Sequence, residues 1–271
     1  MALLLLAALA SSLAAQSFDH SLWNEVVNTY VSQIGEVDYG ALKANRKGLD
    51  EYVRKLGEAS PANRTALFPT KAHELAYWIN AYNAFVMRGV IDGYPMRSVR
   101  DQGTLYGFFR RQDYVAGDVR MSLRHLEFEI LLSARFAEPR VHFAIVCASL
   151  SCPKLSRDAF TAENLEPQLD RLARQFVNER RNLTIDASGG VTLSSIFDWY
   201  KKDFERGESG RKRTVLDFIR RYANEHNRNA LDGLKRPEVN YYEYDWSIND
   251  PGSRARARSA LERELSRPGN E

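Results

Sequence analysis

Residues 75–87 read LAYWINAYNAFVM, and this stretch decides the fold. Within it only Asn80 and Asn83 carry strongly polar side chains, and the surrounding pattern predicts a helix from Lys71 to Ile91. A helix that is apolar on every face is a buried helix, so we expect this one at the centre of the domain. Both asparagines should therefore be buried and hydrogen-bonded, since an unpaired buried amide costs about 1–3 kcal/mol.

The two asparagines are three residues apart and share one face of the predicted helix. One hypothesis is structural: the amides bond backbone groups of a neighbouring strand or loop, as most buried side-chain amides do. The other hypothesis is functional: Asn80 and Asn83 orient a catalytic group or bind a substrate. The sequence leaves both hypotheses open.

A second informative stretch lies downstream of the central helix. Residues 140–147 read RVHFAIVC, a β-branched and apolar run that predicts a strand. Ser122 is a suitable N-cap for a helix that ends near Phe136, shortly before this strand. A turn over residues 149–153 follows and contains the second cysteine. Because loops that follow strands commonly carry sites, we expect function in this region.

The rest of the chain alternates between amphipathic helical segments and short strand segments. This mixture predicts an α+β fold, a helix-rich single domain around a small, mainly antiparallel sheet. Further helices are predicted over Phe18–Gln33, Ala41–Leu56, Asn164–Asn178, the segment from Ser194 to Phe204 and Arg213–Tyr222, hairpins over Tyr114–Met121 and residues 183–193, and a strand over Tyr241–Trp246.

The two ends of the chain differ in character from its middle. Residues 1–15 read MALLLLAALASSLAA, which predicts a signal peptide cleaved near Ala15 and export to the periplasm or the extracellular space. A short N-terminal anchor and a misassigned start codon are the alternatives. The apolar run is shorter than the ~20 residues that span a bilayer, and no later segment approaches that length. Residues 16–250 are expected to form one domain, and residues 251–271 a flexible charged tail.

Charge and composition restrict the partners of the protein. Lys and Arg total 38 against 35 for Asp and Glu, and there is no basic stripe with interleaved aromatic residues. Nucleic-acid binding is therefore not expected. The expected partner is a small molecule or a peptide, and no motif calls for a cofactor.

Several motifs of the chain occur in the same order in a known family. Residues 77–85, YWINAYNAF, resemble its WINxYNA signature, and residues 140–147 and 151–153 resemble motifs that follow it. Further matches are Trp199-Tyr200, Asp203-Phe204 and the YDWS of residues 244–247. From about Leu75 to Ile248 the chain thus resembles the domain of unknown function 547 family. The resemblance implies a fold and the position of a site, but no reaction, because the family's activity is not established.

One motif departs from the family's pattern. The family carries Ile-Glu-His in the helix before the strand, whereas residues 126–128 here read Leu-Glu-Phe. Glu127 is retained, and Phe128 replaces the histidine. His125 lies three residues earlier, on the same side of a helix. If the family's histidine is catalytic, this chain is inactive or uses His125 instead.

Three interpretations of Cys147 and Cys152 compete. In the first they form a disulfide, because four intervening residues can bring the Cα atoms to the ~4.4–6.8 Å that a disulfide needs. In the second, one cysteine is a thiolate nucleophile paired with His142 or His125. In the third, both cysteines and His142 bind zinc, but three ligands are too few for a structural site, and no metal is predicted. On a continuous strand His142 and Cys147 would face opposite sides, which argues against a direct pair.

The candidate residues are expected to converge on one pocket. We predict that His142, one of the cysteines, Glu127 and at least one of the two asparagines line it, because only a short connection separates the Glu127 helix from the strand. Ser151 and His125 are further candidates for binding, while Asp198, Asp203 and Asp245 are expected only to cap helices or to form salt bridges. The favoured function is a thiol-dependent hydrolase or acyl transferase, similar to papain and transglutaminases. The alternative is a non-catalytic binding module whose cysteines form a disulfide.

Overall fold

The computed structural model describes residues 17–103, 106–206, 213–235, 237–253 and 255, and this part of the chain is mainly helical. The predicted signal peptide, residues 1–15, and nearly all of the predicted tail, residues 251–271, lie outside the described residues. The helices are α1 (Ser21–Tyr30), α2 (Tyr39–Ala44), α3 (Lys47–Glu58), α4 (Lys71–Gly93), α5 (Gly107–Arg110), α6 (Leu123–His125), α7 (Leu165–Asn178), α8 (Ser195–Trp199), α9 (Lys201–Phe204), α10 (Val215–Tyr222) and α11 (Glu225–Asp232). The strands are β1 (Tyr114–Ala116), β2 (Val119–Met121), β3 (Leu183–Ile185), β4 (Val191–Leu193) and β5 (Val239–Tyr241).

Helix α4 forms the centre of the fold, as its sequence predicts. The side chain of Thr70 caps its first turn by accepting a hydrogen bond from the backbone of His73. Side chains on all faces of α4 are buried, including Asn80 and Asn83, which confirms the prediction of a buried central helix. Helices α2 and α3 pack against it. Among the described helices, none is both long and apolar enough to cross a lipid bilayer.

The strands form two small sheets at the edges of the helical core. Strands β1 and β2 make an antiparallel hairpin, while β3 and β4 pair antiparallel and β5 joins β4 in parallel. These sheets around a helical core confirm the α+β prediction. The predicted strand Tyr241–Trp246 is wrong beyond its first residue, because β5 ends at Tyr241. The chain after it runs irregularly over the cysteine turn, where the amide of Leu150 donates to the carbonyl of Ser247 over 2.8 Å.

The predicted strand Arg140–Cys147 is also wrong. Residues Pro139–Phe143 form a 3-10 helix, and the chain from residue 144 onwards is irregular. The Asn83 amide group supplies what a neighbouring strand would have supplied: it donates to the carbonyl of Ala144 over 2.9 Å and accepts from the amide of Val146 over 3.0 Å. A short buried apolar run satisfied in this way cannot be told from a strand by its composition.

Two predicted helices are each divided in two, and two short helices, α5 and α11, were not predicted. The segment from Ala41 to Leu56 breaks at residues 45–46, between α2 and α3, where Asn45 leaves the helical conformation. The helix after Ser194 likewise breaks at Tyr200, between α8 and α9. Helix α11 was missed because it is short and mostly polar and its only buried residue is Leu231.

Helix α6 continues into a π-helix over Leu126–Leu131, in which the amide of Leu132 donates to the carbonyl of Glu127 over 2.9 Å. The helix predicted from Ser122 to Phe136 is present only as far as Leu131, and its second part is wound more loosely than an α-helix. Short π-helical segments are rare and frequently occur at functional sites. Glu127, which lies within this π-helical segment, is therefore a candidate functional residue.

His20 is a partly exposed, pH-dependent group at the edge of the core. Its Nδ1 lies 2.7 Å from the hydroxyl of Tyr52, and the rings of Phe18 and Tyr77 flank it. Burial lowers the pKa of His20 from 6.5 to about 4, although the charge of Asp19 acts in the opposite direction. The unfolded chain thus takes up a proton here at a higher pH than the folded chain, so acid favours unfolding below pH 6.5.

We expect the free energy of unfolding to fall by about 1–2 kcal/mol between pH 7 and pH 5 through this histidine. Urea denaturation of the wild type and of His20→Gln at the two pH values measures the effect. Glutamine cannot titrate, so the variant should lose less stability on acidification. Equal losses in the two proteins would show that another group is responsible.

Candidate functional site

A cleft of about 430 Å³ lies between the π-helix, the cysteine turn, helix α8 and the chain after β5. Glu127, His142, Cys147 and Cys152 all line it. A larger depression of about 1280 Å³ lies beside His20, but none of the predicted site residues lines its described surface. The smaller cleft is therefore the candidate site, because titratable groups and apolar rings converge there.

Cys147 and Cys152 form a disulfide at one wall of the cleft, with their Cα atoms 6.3 Å apart. They are the two cysteines of the chain, so the disulfide leaves no free thiol. The disulfide interpretation is confirmed. A thiolate nucleophile or a zinc site would each require the sulfur atoms in their reduced form.

Hydroxyl and amide groups surround the disulfide. The hydroxyl of Tyr244 lies 3.2 Å from Sγ of Cys147 and 3.1 Å from Sγ of Cys152. The hydroxyl of Ser149 lies 3.2 Å from Sγ of Cys147, and the amide of Cys147 donates to Sγ of Cys152 over 2.9 Å. Burial raises the pKa of Tyr244, so its hydroxyl keeps its proton and can donate a hydrogen bond to Sγ of Cys152. These contacts fix the disulfide against the chain that follows β5.

Glu127 is buried at the base of the cleft, where the π-helix directs it towards α4 and α8. Its carboxylate accepts hydrogen bonds from the hydroxyls of Tyr82, over 2.8 Å, and Tyr200, over 2.5 Å. Burial raises the pKa of both tyrosines, and the charge of Glu127 adds to the effect. Both phenols are therefore donors at neutral pH. No described lysine, arginine or histidine forms an ion pair with this carboxylate.

His142 lies deeper than Glu127, with its side chain only 1% exposed. Its Nε2 is 3.0 Å from Oδ2 of Asp203, and this hydrogen bond lowers the pKa of Asp203. The ring of Tyr200 covers the imidazole at a centroid distance of 4.0 Å. Since His142 lies in a 3-10 helix and not in a strand, alternation no longer separates it from Cys147, and both line the cleft.

The asparagines of α4 lie outside the cleft, so the expectation that one of them lines it is wrong. Each amide instead forms two hydrogen bonds with backbone groups of a distant segment. Asn83 holds Ala144 and Val146 as described above, and Asn80 bonds both the carbonyl and the amide of Phe160, over 2.8 and 3.0 Å. These backbone bonds agree with the structural hypothesis for the two asparagines. Through Asn83 they also position the segment that leads into the cysteine turn.

Two further candidates also lie away from the cleft. The hydroxyl of Ser151 accepts a hydrogen bond from the amide of Asp245 over 2.9 Å, so it fastens the C-terminal chain to the turn. His125 is exposed, and it is not among the described residues that line the cleft. Phe128, at the position where the resemblance led us to expect histidine, does line the cleft and is 44% exposed.

Aromatic rings that the sequence did not place in the site form the walls of the cleft. Tyr106 and Trp199 are 47% and 49% exposed, which is unusual for side chains of this size. The ring of Trp199 is stacked with that of Trp246 at 5.8 Å, and Tyr244 lies 4.7 Å from each. On the opposite wall Phe128 stacks on Tyr200.

Asp203, Tyr244 and Trp246 could have been found only as parts of the motifs near residues 199–204 and 244–247. Their spacing alone did not point to a site, since Tyr244 and Trp246 reach the cleft from the chain after β5, while Asp203 lies on α9 behind His142 and does not line the cleft.

Residues 68–177 match the model of a family described as a protein of unknown function, DUF547. The matched range contains Glu127, His142 and both cysteines, whereas Asp203 and Tyr244 lie beyond it. No curated protein and no solved structure matches the chain.

Proposed function

We propose that this chain, whose residues 68–177 form a DUF547 domain, is a binding module whose cleft receives a small molecule or a peptide side chain. The observation that carries the proposal is the set of exposed aromatic rings around the cleft with the disulfide. Large apolar groups exposed side by side are a liability in an isolated protein and typically mark a ligand site. The cleft, at about 430 Å³, is large enough for a small organic ligand.

The state of the cysteines favours binding over thiol chemistry. A nucleophilic cysteine acts as a thiolate, and neither Cys147 nor Cys152 has a free sulfur to ionise. His142 is also covered by the ring of Tyr200, which restricts its approach to a substrate. The disulfide serves in this proposal as a rigid wall of the cleft.

A thiol-dependent hydrolase or acyl transferase remains the second candidate. The observation in its favour is the pair formed by His142 and Asp203, in which a carboxylate orients an imidazole that lines the same cleft as Cys147. That arrangement is what a general base needs. Catalysis by this route would require reduction of the disulfide, so the two candidates differ in their response to a reductant.

Intrinsic fluorescence can test the binding function. Of the four tryptophans of the chain, Trp199 and Trp246 line the cleft, while Trp23 and Trp78 are buried in the core. A ligand screened from ring-bearing small molecules and short peptides should change the emission by covering the cleft tryptophans. The same ligand should bind the oxidised protein without any turnover.

We expect Trp199→Ala to weaken such a ligand by about 5- to 30-fold, or ~1–2 kcal/mol, because it removes a large exposed ring from the wall. The matched control is Tyr241→Ala, which removes an exposed ring that is not among the described residues lining the cleft. Isothermal titration calorimetry gives both affinities. Equal affinities in Trp199→Ala and the wild type would contradict binding at this cleft.

We also propose that the domain acts outside the cytoplasm. Residues 1–15 have the pattern of a signal peptide, and a disulfide is typical of an oxidising compartment. N-terminal sequencing of the protein from its native host is expected to begin near Gln16. A cytosolic product that retains Met1 would contradict export.

A further inference from the structure

We infer that the ligand of this cleft carries an organic ammonium group whose charge lies against the carboxylate of Glu127. The inference rests on the proposed binding function and narrows it to a class of ligand. Three features of the cleft support it: a buried carboxylate without a cationic partner, a surrounding wall of aromatic rings, and a cation that already lies over one of those rings.

The carboxylate of Glu127 has the first of these features. Buried carboxylates are usually paired with a cation, because removing an unpaired charge from water is costly. Glu127 is 7% exposed, and its partners are the neutral hydroxyls of Tyr82 and Tyr200. A carboxylate has about four lone-pair sites, so two bonds leave capacity for a ligand that donates from inside the cleft.

The hydrogen bonds also determine the geometry of the site. Both phenols donate to Glu127, so its two carboxylate oxygens are held in place before a ligand arrives. An anionic ligand would meet repulsion here, whereas a cation would complete the pairing.

The aromatic walls suit the same ligand. Cations are attracted to the faces of aromatic rings, most strongly to tryptophan and tyrosine, when the surroundings are partly dry. The cleft is lined by the rings of Tyr82, Phe128, Trp199, Tyr200 and Tyr244, among others. A neutral ligand would use these rings through apolar contact alone and would leave Glu127 without a cation.

Two arginines lie at the mouth of the cleft, and the guanidinium of one of them already contacts an aromatic ring of the lining. Arg124 and Arg110 line the cleft, and both are exposed. The guanidinium of Arg124 lies over the ring of Phe128, 4.9 Å from its centroid, and it does not pair with Glu127. Removing this positive charge should therefore assist, and not impair, the entry of a cationic ligand.

Two pairs of probes with matched shapes test the inference. Choline and 3,3-dimethyl-1-butanol differ by the replacement of the quaternary nitrogen with carbon, and phenethylammonium and 2-phenylethanol differ in their charged head group. Titration calorimetry with the oxidised protein is expected to show at least a ~10-fold preference for the cation in one pair or both.

Glu127→Gln should abolish this preference, since the amide keeps the shape of the side chain but removes its charge and leaves one of its two terminal atoms unable to accept a hydrogen bond from a tyrosine. The matched control is Glu129→Gln, which removes an exposed charge from the same π-helix outside the described lining of the cleft and should retain the preference. Arg124→Gln should bind the cations at least as well as the wild type. Melting temperatures of the three variants show whether each of them is folded.

The outcomes separate this inference from the proposed function. Equal binding of the cation and the neutral probe in both pairs, no binding of either cation, or an unchanged preference in folded Glu127→Gln would each overturn the ammonium assignment. Weaker cation binding in Arg124→Gln would do the same, because it would indicate recognition of an anionic group at the mouth. The proposed function would survive these results if other ring-bearing ligands still alter the emission of Trp199 and Trp246.

Discussion

Replacing Asn83 with leucine is expected to lower the free energy of unfolding by about 2–6 kcal/mol. The substitution leaves two buried backbone groups without a partner, the carbonyl of Ala144 and the amide of Val146, and each unpaired group costs about 1–3 kcal/mol. Asn80→Leu should have a similar effect through the two backbone groups of Phe160. Urea denaturation followed by circular dichroism measures both changes.

The control for these variants is Asn229→Leu, which places the same residue at an exposed position of α11. Surface substitutions of this kind usually change stability by less than about 0.5 kcal/mol. A loss below that value in Asn83→Leu would show that the clamp on residues 144–146 contributes little. The prediction would then be wrong, and the segment would owe its conformation to apolar packing.

Removal of the disulfide is expected to have the second largest effect. Cys147→Ser and Cys152→Ser should each lower the free energy of unfolding by about 2–3 kcal/mol, because closing even a short loop restricts the unfolded chain by ~2 kcal/mol. The two losses should be equal within error, since either substitution breaks the same bond between residues five apart in sequence. Reduction of the wild type with dithiothreitol should reproduce them.

The double variant, in which both cysteines are serine, is the control for reduction and should not respond to dithiothreitol. Titration of thiols in the denatured, non-reduced wild type should find none. Two free thiols would contradict the disulfide. Loss of an enzymatic activity from one cysteine variant alone, with stability retained, would instead support the thiol-dependent hydrolase or acyl transferase.

The helical part of the fold could be predicted because its signals are local. The run of residues 75–87 is apolar on all faces, and α4 is buried on all faces. The segment of residues 140–147 could not be assigned correctly for the opposite reason. Its conformation depends on Asn83, about sixty positions earlier, whose amide takes the place of a partner strand. The composition of a segment indicates that it is buried, but it does not indicate which groups form hydrogen bonds with its backbone.

The candidate site could be predicted in part, because some of its residues lie close together in the sequence. Glu127, His142 and the cysteines lie within one short stretch, so chain connectivity already suggested that they were neighbours. His125 was expected beside position 128 on an α-helix, but only Phe128 reaches the cleft, and the intervening chain has turned into a π-helix. The aromatic walls were missed because their rings come from segments that are far apart in sequence.

The chain after β5 closes the cleft, and this has a consequence for the order in which the protein matures. Its segment around residues 244–249 contacts three parts made much earlier: Ser247 pairs with Ser98, Ile248 with Ser149, and Asn249 accepts from the amide of Val37. These contacts require the chain as far as residue 249, so the cleft is complete only once that segment has been made and has packed in place. A fragment limited to residues 68–177 would lack Tyr200 and Tyr244, so the region that defines the family does not by itself contain a finished cleft.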